Sequence, residues 1–283
     1  MTTRLMIMAA GMSSRMKKMP VGGDIPPELI EQARLLPKSM IGVGVDGRPF
    51  LEYLITEVAA AGIREVLMVL NPMDTVTEPH IRAIQAEGRF LDLIFRFAIQ
   101  YIAPERTKPS GTADAVLQAL EQMPDWQTER FLVCNADNLY SRKVLSLLAS
   151  SPYQQVLPAY TFEALGLPED RYRNLAIIKT DAEGYVTDLI EKPDREAAQV
   201  YREAGFGVSM NAYALFAPTV LPFLRKVPYS PMRNEKELPV AIRLLIQTRP
   251  KAVQTILVAE PVPDLTGMED LIAVREKLAQ YNV

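Results

Sequence analysis

LMIMAAGMSSRM, residues 5–16, decides how this chain is read. An apolar run from Leu5 to Met8 stops at Ala9-Ala10-Gly11. Met12 and two serines follow, then a single arginine, Arg15. That order predicts a buried strand feeding a loop that holds an anion. Small side chains let backbone N–H groups approach phosphate oxygens, and a guanidinium adds charge and a planar fork of donors. Gly11 is free to take a positive φ. An ordinary strand, turn and helix would use the same residues, so later segments must decide.

The bulk properties narrow the choice. The 283 residues are 48% hydrophobic and 23% charged, enough for one large α/β domain or two small ones. Net charge is −3, and no basic run is longer than Lys17-Lys18, so no nucleic-acid partner is expected. No apolar stretch approaches the roughly 18 residues that cross a bilayer, so no membrane partner is expected either. The N-terminal apolar run is too short for a signal peptide. Cys134 is the lone cysteine, at the end of the apolar run Phe131-Leu132-Val133-Cys134. It excludes an internal disulfide, reads as inert core and fits a cytoplasmic location. The lone histidine, His80, excludes a histidine-cluster metal site and disfavours Ser-His-Asp chemistry. Following Pro79 near a helix start, it reads as a solvated surface residue.

Apolar, β-branched runs alternate with helical periodicity along the chain. Strands are expected at 5–8, 65–70, 93–99, 130–134, 155–160, 176–179, 186–191, 208–216 and 253–258. Helices are expected at 50–61, 79–86, 112–122, 142–149, 195–203, 218–226, 235–247 and 268–279, with a shorter helical pattern at 28–36. Short connections in the first half predict a mostly parallel sheet covered on both faces. Asp181-Ala182-Glu183-Gly184 between two strands reads as a hairpin turn. No repeat, low-complexity segment or linker stands out. The reading is a single domain, 1–283, with a nucleotide-binding half at about 1–150 and an acceptor-binding half at about 151–283.

Ala9-Ala10-Gly11-Met12-Ser13-Ser14-Arg15-Met16, followed by Pro37-Lys38, resembles the signature of the sugar-1-phosphate nucleotidyltransferases, the NDP-sugar pyrophosphorylases. Their usual pattern is L-A-A-G-x-G-x-R-[ML], a loop, then P-K. Ser13 stands where that pattern has a second glycine. The resemblance implies a Rossmann-like, glycosyltransferase-A-type α/β fold, with a mixed, mostly parallel sheet flanked by helices. The segment 17–36 is longer than in many members, and long active-site loops are often lids.

Further segments fit in the same order. Asn135-Ala136-Asp137-Asn138 follows directly on the strand at 130–134, where open α/β sheets bind ligands. Asp137 is a hard oxygen donor suited to Mg²⁺ beside phosphates, although a turn-forming or capping aspartate would look the same. The resemblance makes it a metal ligand. Asp264, in Pro263-Asp264-Leu265-Thr266-Gly267, matches the second metal-binding aspartate in part. The competing reading makes Asp264 or Thr266 the N-cap of the last helix. Glu191-Lys192-Pro193 ends a strand where the family has E-K-P, which implies that Lys192 reaches the acceptor's phosphate and Glu191 its sugar. Asn211 lies in a segment that matches the family's N-x-G-x-Y-x-F only in part. Glu235-Lys236-Glu237-Leu238 resembles an E-x-E-[IL] segment near the sugar pocket, and a solvated helix start explains it equally well.

Pro109-Ser110-Gly111-Thr112-Ala113-Asp114-Ala115 opens a helix where the family has G-T-A-x-A. Gly111 would let a flat base lie against the backbone, and Thr112 would cap the helix. Gln100 sits upstream at a strand end, where some relatives place a base-reading glutamine; a solvated glutamine is the alternative.

The resemblance covers residues 5 to about 278. It implies a Mg²⁺-dependent transfer between a nucleoside triphosphate and a sugar 1-phosphate, giving NDP-sugar and pyrophosphate. Arg15 and Lys38 would be catalytic. Ala9, Ala10, Gly11, Met12, Gln100, Gly111, Thr112 and Asn135 would hold the nucleotide. Glu191, Lys192 and Asn211 would hold the acceptor, and Asp137 and Asp264 the metal. The alternatives are nucleotidyl transfer to a non-sugar phosphate such as phosphocholine, or a catalytically silent regulatory protein. The base, the sugar and a homo-oligomeric state stay open.

Overall fold

The computed structural model describes residues 1–12, 16, 25–172, 174–231 and 233–281. Arg15 and residues 17–24 of the 17–36 insertion lie outside the described residues; the rest of the insertion, 25–36, is described.

The first strand, β1 (Arg4–Ala9), is buried almost throughout because its residues face two cores. Leu5, Ile7 and Ala9 join one hydrophobic cluster and Met6 and Met8 the other. This is the alternation of a strand covered on both faces. Helix α1 (Pro27–Leu35) precedes a short 3₁₀ turn at Lys38–Met40. Helix α2 (Phe50–Ala60), strand β2 (Glu65–Leu70), helix α3 (Thr77–Ala86) and strand β3 (Ile94–Ile99) come next. Helix α4 (Thr112–Gln122), strand β4 (Arg130–Asn135) and helix α5 (Arg142–Ser150) complete the first half. Strands β3, β2, β1 and β4 pair side by side, all parallel. Their C-terminal ends therefore open on one edge.

The second half extends the same sheet with antiparallel pairs. Its strands are β5 (Val156–Tyr160), β6 (Ala176–Thr180), β7 (Val186–Glu191), β8 (Gly207–Ser209), β9 (Tyr213–Phe216) and β10 (Gln254–Val258). The order is β3-β2-β1-β4-β9-β5-β8-β6-β7, with β10 parallel beside β5, ten strands among the described residues. Its helices are α6 (Phe162–Leu165), α7 (Glu169–Tyr172), α8 (Arg195–Glu203), α9 (Ala217–Leu224), α10 (Leu238–Thr248) and α11 (Asp270–Leu278). This is the expected mixed α/β architecture. The β6–β7 hairpin turns where expected: Gly184 N–H donates to Asp181 C=O, and Asp181 Oδ1 accepts from the backbones of Glu183 and Tyr185.

Two expectations need correction. The strand expected at 208–216 is two strands, β8 and β9, because Asn211 takes φ 56° and turns the chain between them. Asparagine tolerates that left-handed region better than most residues. His80 is not a solvated surface residue. Its Nε2 lies 2.7 Å from Glu52 Oε1, and Glu52 is buried in α2 with Arg89 and Arg48 also beside it. A buried carboxylate needs cationic or hydrogen-bonding partners, and His80 is one of three.

Candidate active site

The open edge of the parallel strands forms one wall of a cavity of about 530 Å³. Ala9, Ala10, Gly11 and Met12 line it after β1, with Lys38, Gln100, Gly111, Thr112 and Asn135. A second cavity, of about 630 Å³, is lined among others by Glu191, Asn211 and Asp264. The two adjoin: Thr112, Asn135, Asp137 and Glu235 belong to both walls. Residues more than a hundred positions apart in sequence thus share one junction.

Backbone pairing builds that junction. Asn138 and Asp264 form an isolated antiparallel bridge. Leu265 N–H donates to Asp137 C=O at 2.9 Å, and Leu139 N–H donates to Pro263 C=O at 2.9 Å. Tyr140 Oη donates to Met210 C=O at 2.6 Å, tying the turn that carries Asn211 to the same place. Asp137 and Asp264 therefore stand near one another, and each has its own cation. Lys38 Nζ is 3.5 Å from Asp137 Oδ2, and Arg171 Nη2 is 2.9 Å from Asp264 Oδ2. Thr266 Oγ1 also donates to Asp264 Oδ2, at 2.6 Å. Burial and then the neighbouring Asp137 charge raise the Asp264 carboxyl to about 6, against the pull of Thr266 and Arg171.

The capping alternative for Asp264 fails. Helix α11 starts six residues later, and the amides of Thr266 and Gly267 are bound by Asp270 Oδ2, at 2.9 and 2.8 Å. Asp264 is left to face the cavity and Arg171. Two hard carboxylates held close together, one of them raised by burial and then by the other's charge, form a donor set that a divalent cation would relieve. They fit Mg²⁺ only with further oxygens from phosphate or water, since the described residues hold no group of three or more His, Cys, Asp or Glu poised for a metal.

Thr112 does not cap its own helix. Its hydroxyl accepts from Leu238 N–H at 2.8 Å, at the start of α10, and Gly111 begins α4 without a side-chain cap. The reason is the neighbouring segment. Lys236 N–H donates to Ser110 C=O at 2.6 Å, and Ala113 N–H donates to Lys236 C=O at 2.9 Å. Gly111 has φ 107°, and a Cβ there would meet the Lys236 backbone at 2.6 Å. The glycine is required by this clasp as well as by its dihedral. Lys108 tightens it, with Nζ 2.7 Å from both Arg233 C=O and Glu235 Oε1.

Gln100 is 2% exposed, which removes the solvated alternative. Its Nε2 donates to Gly111 C=O and to Asp114 Oδ2, each at 2.9 Å. Lys192 is not on either cavity wall. It has φ 49°, and its Nζ lies 3.5 Å from Glu237 Oε1, which Arg233 Nη1 also approaches at 3.5 Å. Glu191 is raised to about 7, first by burial and then by Glu237, and its Oε1 has no hydrogen-bond partner. Cys134 is buried and its thiol is pushed up by desolvation, as an inert core residue should be.

Arg171 and Arg233 line the second cavity and were missed in the sequence. Arg171 sits in a four-residue helix whose sequence shows no motif, and Arg233 lies in a loop. Only the charge of Arg233-Asn234-Glu235-Lys236-Glu237 hinted at either.

Residues 6–279 match the nucleotidyl transferase family model, and the chain belongs to that family. It is 30% identical to the glucose-1-phosphate adenylyltransferase of Nitrosospira multiformis over 141 residues, 48% of this chain and 33% of that protein. It is 25% identical to the Anaeromyxobacter dehalogenans protein of the same name over 146 residues, 50% of this chain and 34% of that one. The matches thus span about a third of these relatives' length. Among solved structures, a UDP-glucose pyrophosphorylase bound to UDP-glucose superposes with a TM-score of 0.71, at 19% identity and 98% coverage of both chains. A Bacillus anthracis protein assigned as a glucose-1-phosphate thymidylyltransferase, in complex with sucrose, gives 0.70 at 13% identity, with 99% and 96% coverage. These likenesses show a shared fold.

Proposed function

We propose that the chain joins a nucleoside triphosphate to a sugar 1-phosphate, giving an NDP-sugar and pyrophosphate. The observation that carries this reading is the pair of adjoining cavities that meet at Asn135 and Asp137. One has the small-residue, anion-binding walls a triphosphate needs, and the other the carboxylates and amide a polyhydroxylated acceptor needs. An oxygen of the acceptor phosphate attacks the α-phosphorus, the bond from that phosphorus to the bridging oxygen breaks, and pyrophosphate leaves. The attacking oxygen is already anionic, so no general base is required, which suits a chain with one histidine bound elsewhere. Positioning and charge neutralisation then supply the rate.

In this reading Lys38 leaves Asp137 to stabilise charge at the α-phosphate, and Arg15 holds the triphosphate with the 9–12 backbone. Lys192 leaves Glu237 for the acceptor phosphate, while Glu191 and Asn211 contact the sugar. Asp137 and Asp264 would hold Mg²⁺, which when bound neutralises phosphate charge and draws the two substrates together. Among the described residues, no helix is long and apolar enough to cross a membrane. With the lone thiol buried, the proposed setting is the cytoplasm. Pyrophosphate release, with product identification, across a matrix of nucleoside triphosphates and sugar 1-phosphates tests the proposal. The expected result is release that requires both substrates; no release in any combination, or release from a triphosphate alone, would overturn it.

A further inference from the structure

The polarity of one hydrogen-bond chain beneath the nucleotide cavity bears on base selection. Tyr101 sits just after β3, and both of its backbone groups bind Gln118. Its N–H donates to Gln118 Oε1 at 2.8 Å, and its C=O accepts from Gln118 Nε2 at 3.2 Å. A backbone donor and a backbone acceptor cannot exchange roles, so the Gln118 amide has one orientation. Its Nε2 also donates to Asp114 Oδ2 at 2.9 Å, one turn earlier on α4. An ionised carboxylate only accepts. The same oxygen therefore takes an N–H of Gln100 at 2.9 Å, while Gly111 C=O takes Gln100 Nε2 as well, at 2.9 Å. The two acceptors account for both amide hydrogens. What Gln100 has left to offer the cavity it lines is its carbonyl oxygen, which accepts from none of the described residues.

We propose that Asp114 is a positioning residue that fixes the Gln100 carboxamide with its oxygen toward the nucleotide cavity, so that a nucleobase is selected through an N–H it donates there. Asp114 itself lines neither cavity and acts through Gln100. A fixed, buried acceptor rejects a partner that cannot donate, because the group would be left desolvated and unpaired. This proposal rests on the nucleotide half of the reading above and is independent of the acceptor.

The test is binding of ATP, GTP, CTP, UTP and dTTP, by calorimetry, to the wild type and to Asp114→Asn, Gln100→Ala and Gln118→Leu, each checked for folding by circular dichroism. In Asp114→Asn the new amide can present its own N–H, and Gln100 is free to turn. The preferred triphosphate should bind about tenfold more weakly, and the ratio between it and the next should fall by about as much. Gln100→Ala should lose the same discrimination. Gln118→Leu, which releases Asp114 from the far side, should lose part of it and stands in if Asp114→Asn does not fold. In turnover, KM for the triphosphate should rise while kcat and the acceptor KM hold. Wild-type discrimination in Asp114→Asn and Gln118→Leu, with loss in Gln100→Ala, would overturn the positioning role alone. Wild-type discrimination in Gln100→Ala would overturn the base contact and the proposal with it. A failure of acceptor transfer would leave the binding result readable.

Discussion

The two cavities are built by different means. The cavity proposed for the nucleotide is walled by parallel strand ends, short loops and backbone, held by bonds such as Ala136 N–H to Met8 C=O and the Lys236 clasp on Ser110–Gly111. The cavity proposed for the acceptor carries, among apolar residues, charged side chains from distant elements that are already paired. Arg171 binds Asp264 and Asp270, and Glu237 faces both Lys192 and Arg233. The first wall is held mainly by backbone bonds, with the Lys38–Asp137 pair the one it gives up in the proposed reaction. The second must exchange internal ion pairs for contacts to a substrate, so part of its binding energy goes into breaking them. The nucleotide wall should therefore govern rate and base choice, and the acceptor wall affinity.

The largest effect that could break this contrast is at Lys38. Lys38→Ala should lower kcat by about a hundredfold with little change in acceptor KM, because its charge is needed most as the α-phosphorus reacts. Single-turnover kinetics at saturating substrates would show it, and a normal kcat would remove Lys38 from the chemistry. A smaller effect is expected across the junction. Lys192→Ala should raise the acceptor KM by about tenfold and leave kcat within a few-fold. An equal loss in both parameters would mean that Lys192 also acts in the transition state.

The smallest effect sharpens the electrostatic side of the contrast. Glu191 is raised to about 7 in the folded chain. Its contribution to stability is thus fully present below the ordinary glutamate value, about 4.3, and lost as pH rises through 7. Glu191→Gln cannot ionise, so it should match the wild type near pH 4 and melt a few degrees higher at pH 8. Thermal denaturation across that range checks it. A parallel shift at every pH would indicate a packing change instead.

The difference between the walls also explains what the sequence disclosed. Backbone-built features leave local signatures. The strand that ends at Ala9, the helix at Thr112–Gln122 and the strands at Glu65–Leu70 and Val186–Glu191 were legible because composition and period act within a few residues. Asp137 followed from its place at a strand end. The break at Asn211 was hidden because the apolar pattern continues on both sides of it and only the dihedral departs. Thr112 was misassigned because the amide it accepts comes from Leu238, across the fold. His80 has its partner in Glu52, and Arg171 has its partners in Asp264 and Asp270; pairings at those separations have no local trace. For Asp264 the capping reading falls because Asp270, six residues on, holds the amides of the loop.

The central claim is that the two walls serve one reaction centre at Asp137 and Asp264. The most direct measurement is the Mg²⁺ dependence of the transfer rate for Asp137→Asn, Asp264→Asn and the double variant. If both carboxylates hold one ion, each single change should raise the Mg²⁺ needed for half-maximal rate. The double variant should then cost less than the two losses combined, because groups that act as a unit are not additive. Direct Mn²⁺ binding to the same variants, followed by electron paramagnetic resonance, should weaken in parallel. A wild-type Mg²⁺ curve for Asp264→Asn, or losses that simply multiply in the double variant, would contradict a shared centre and leave the cavities as two separate sites.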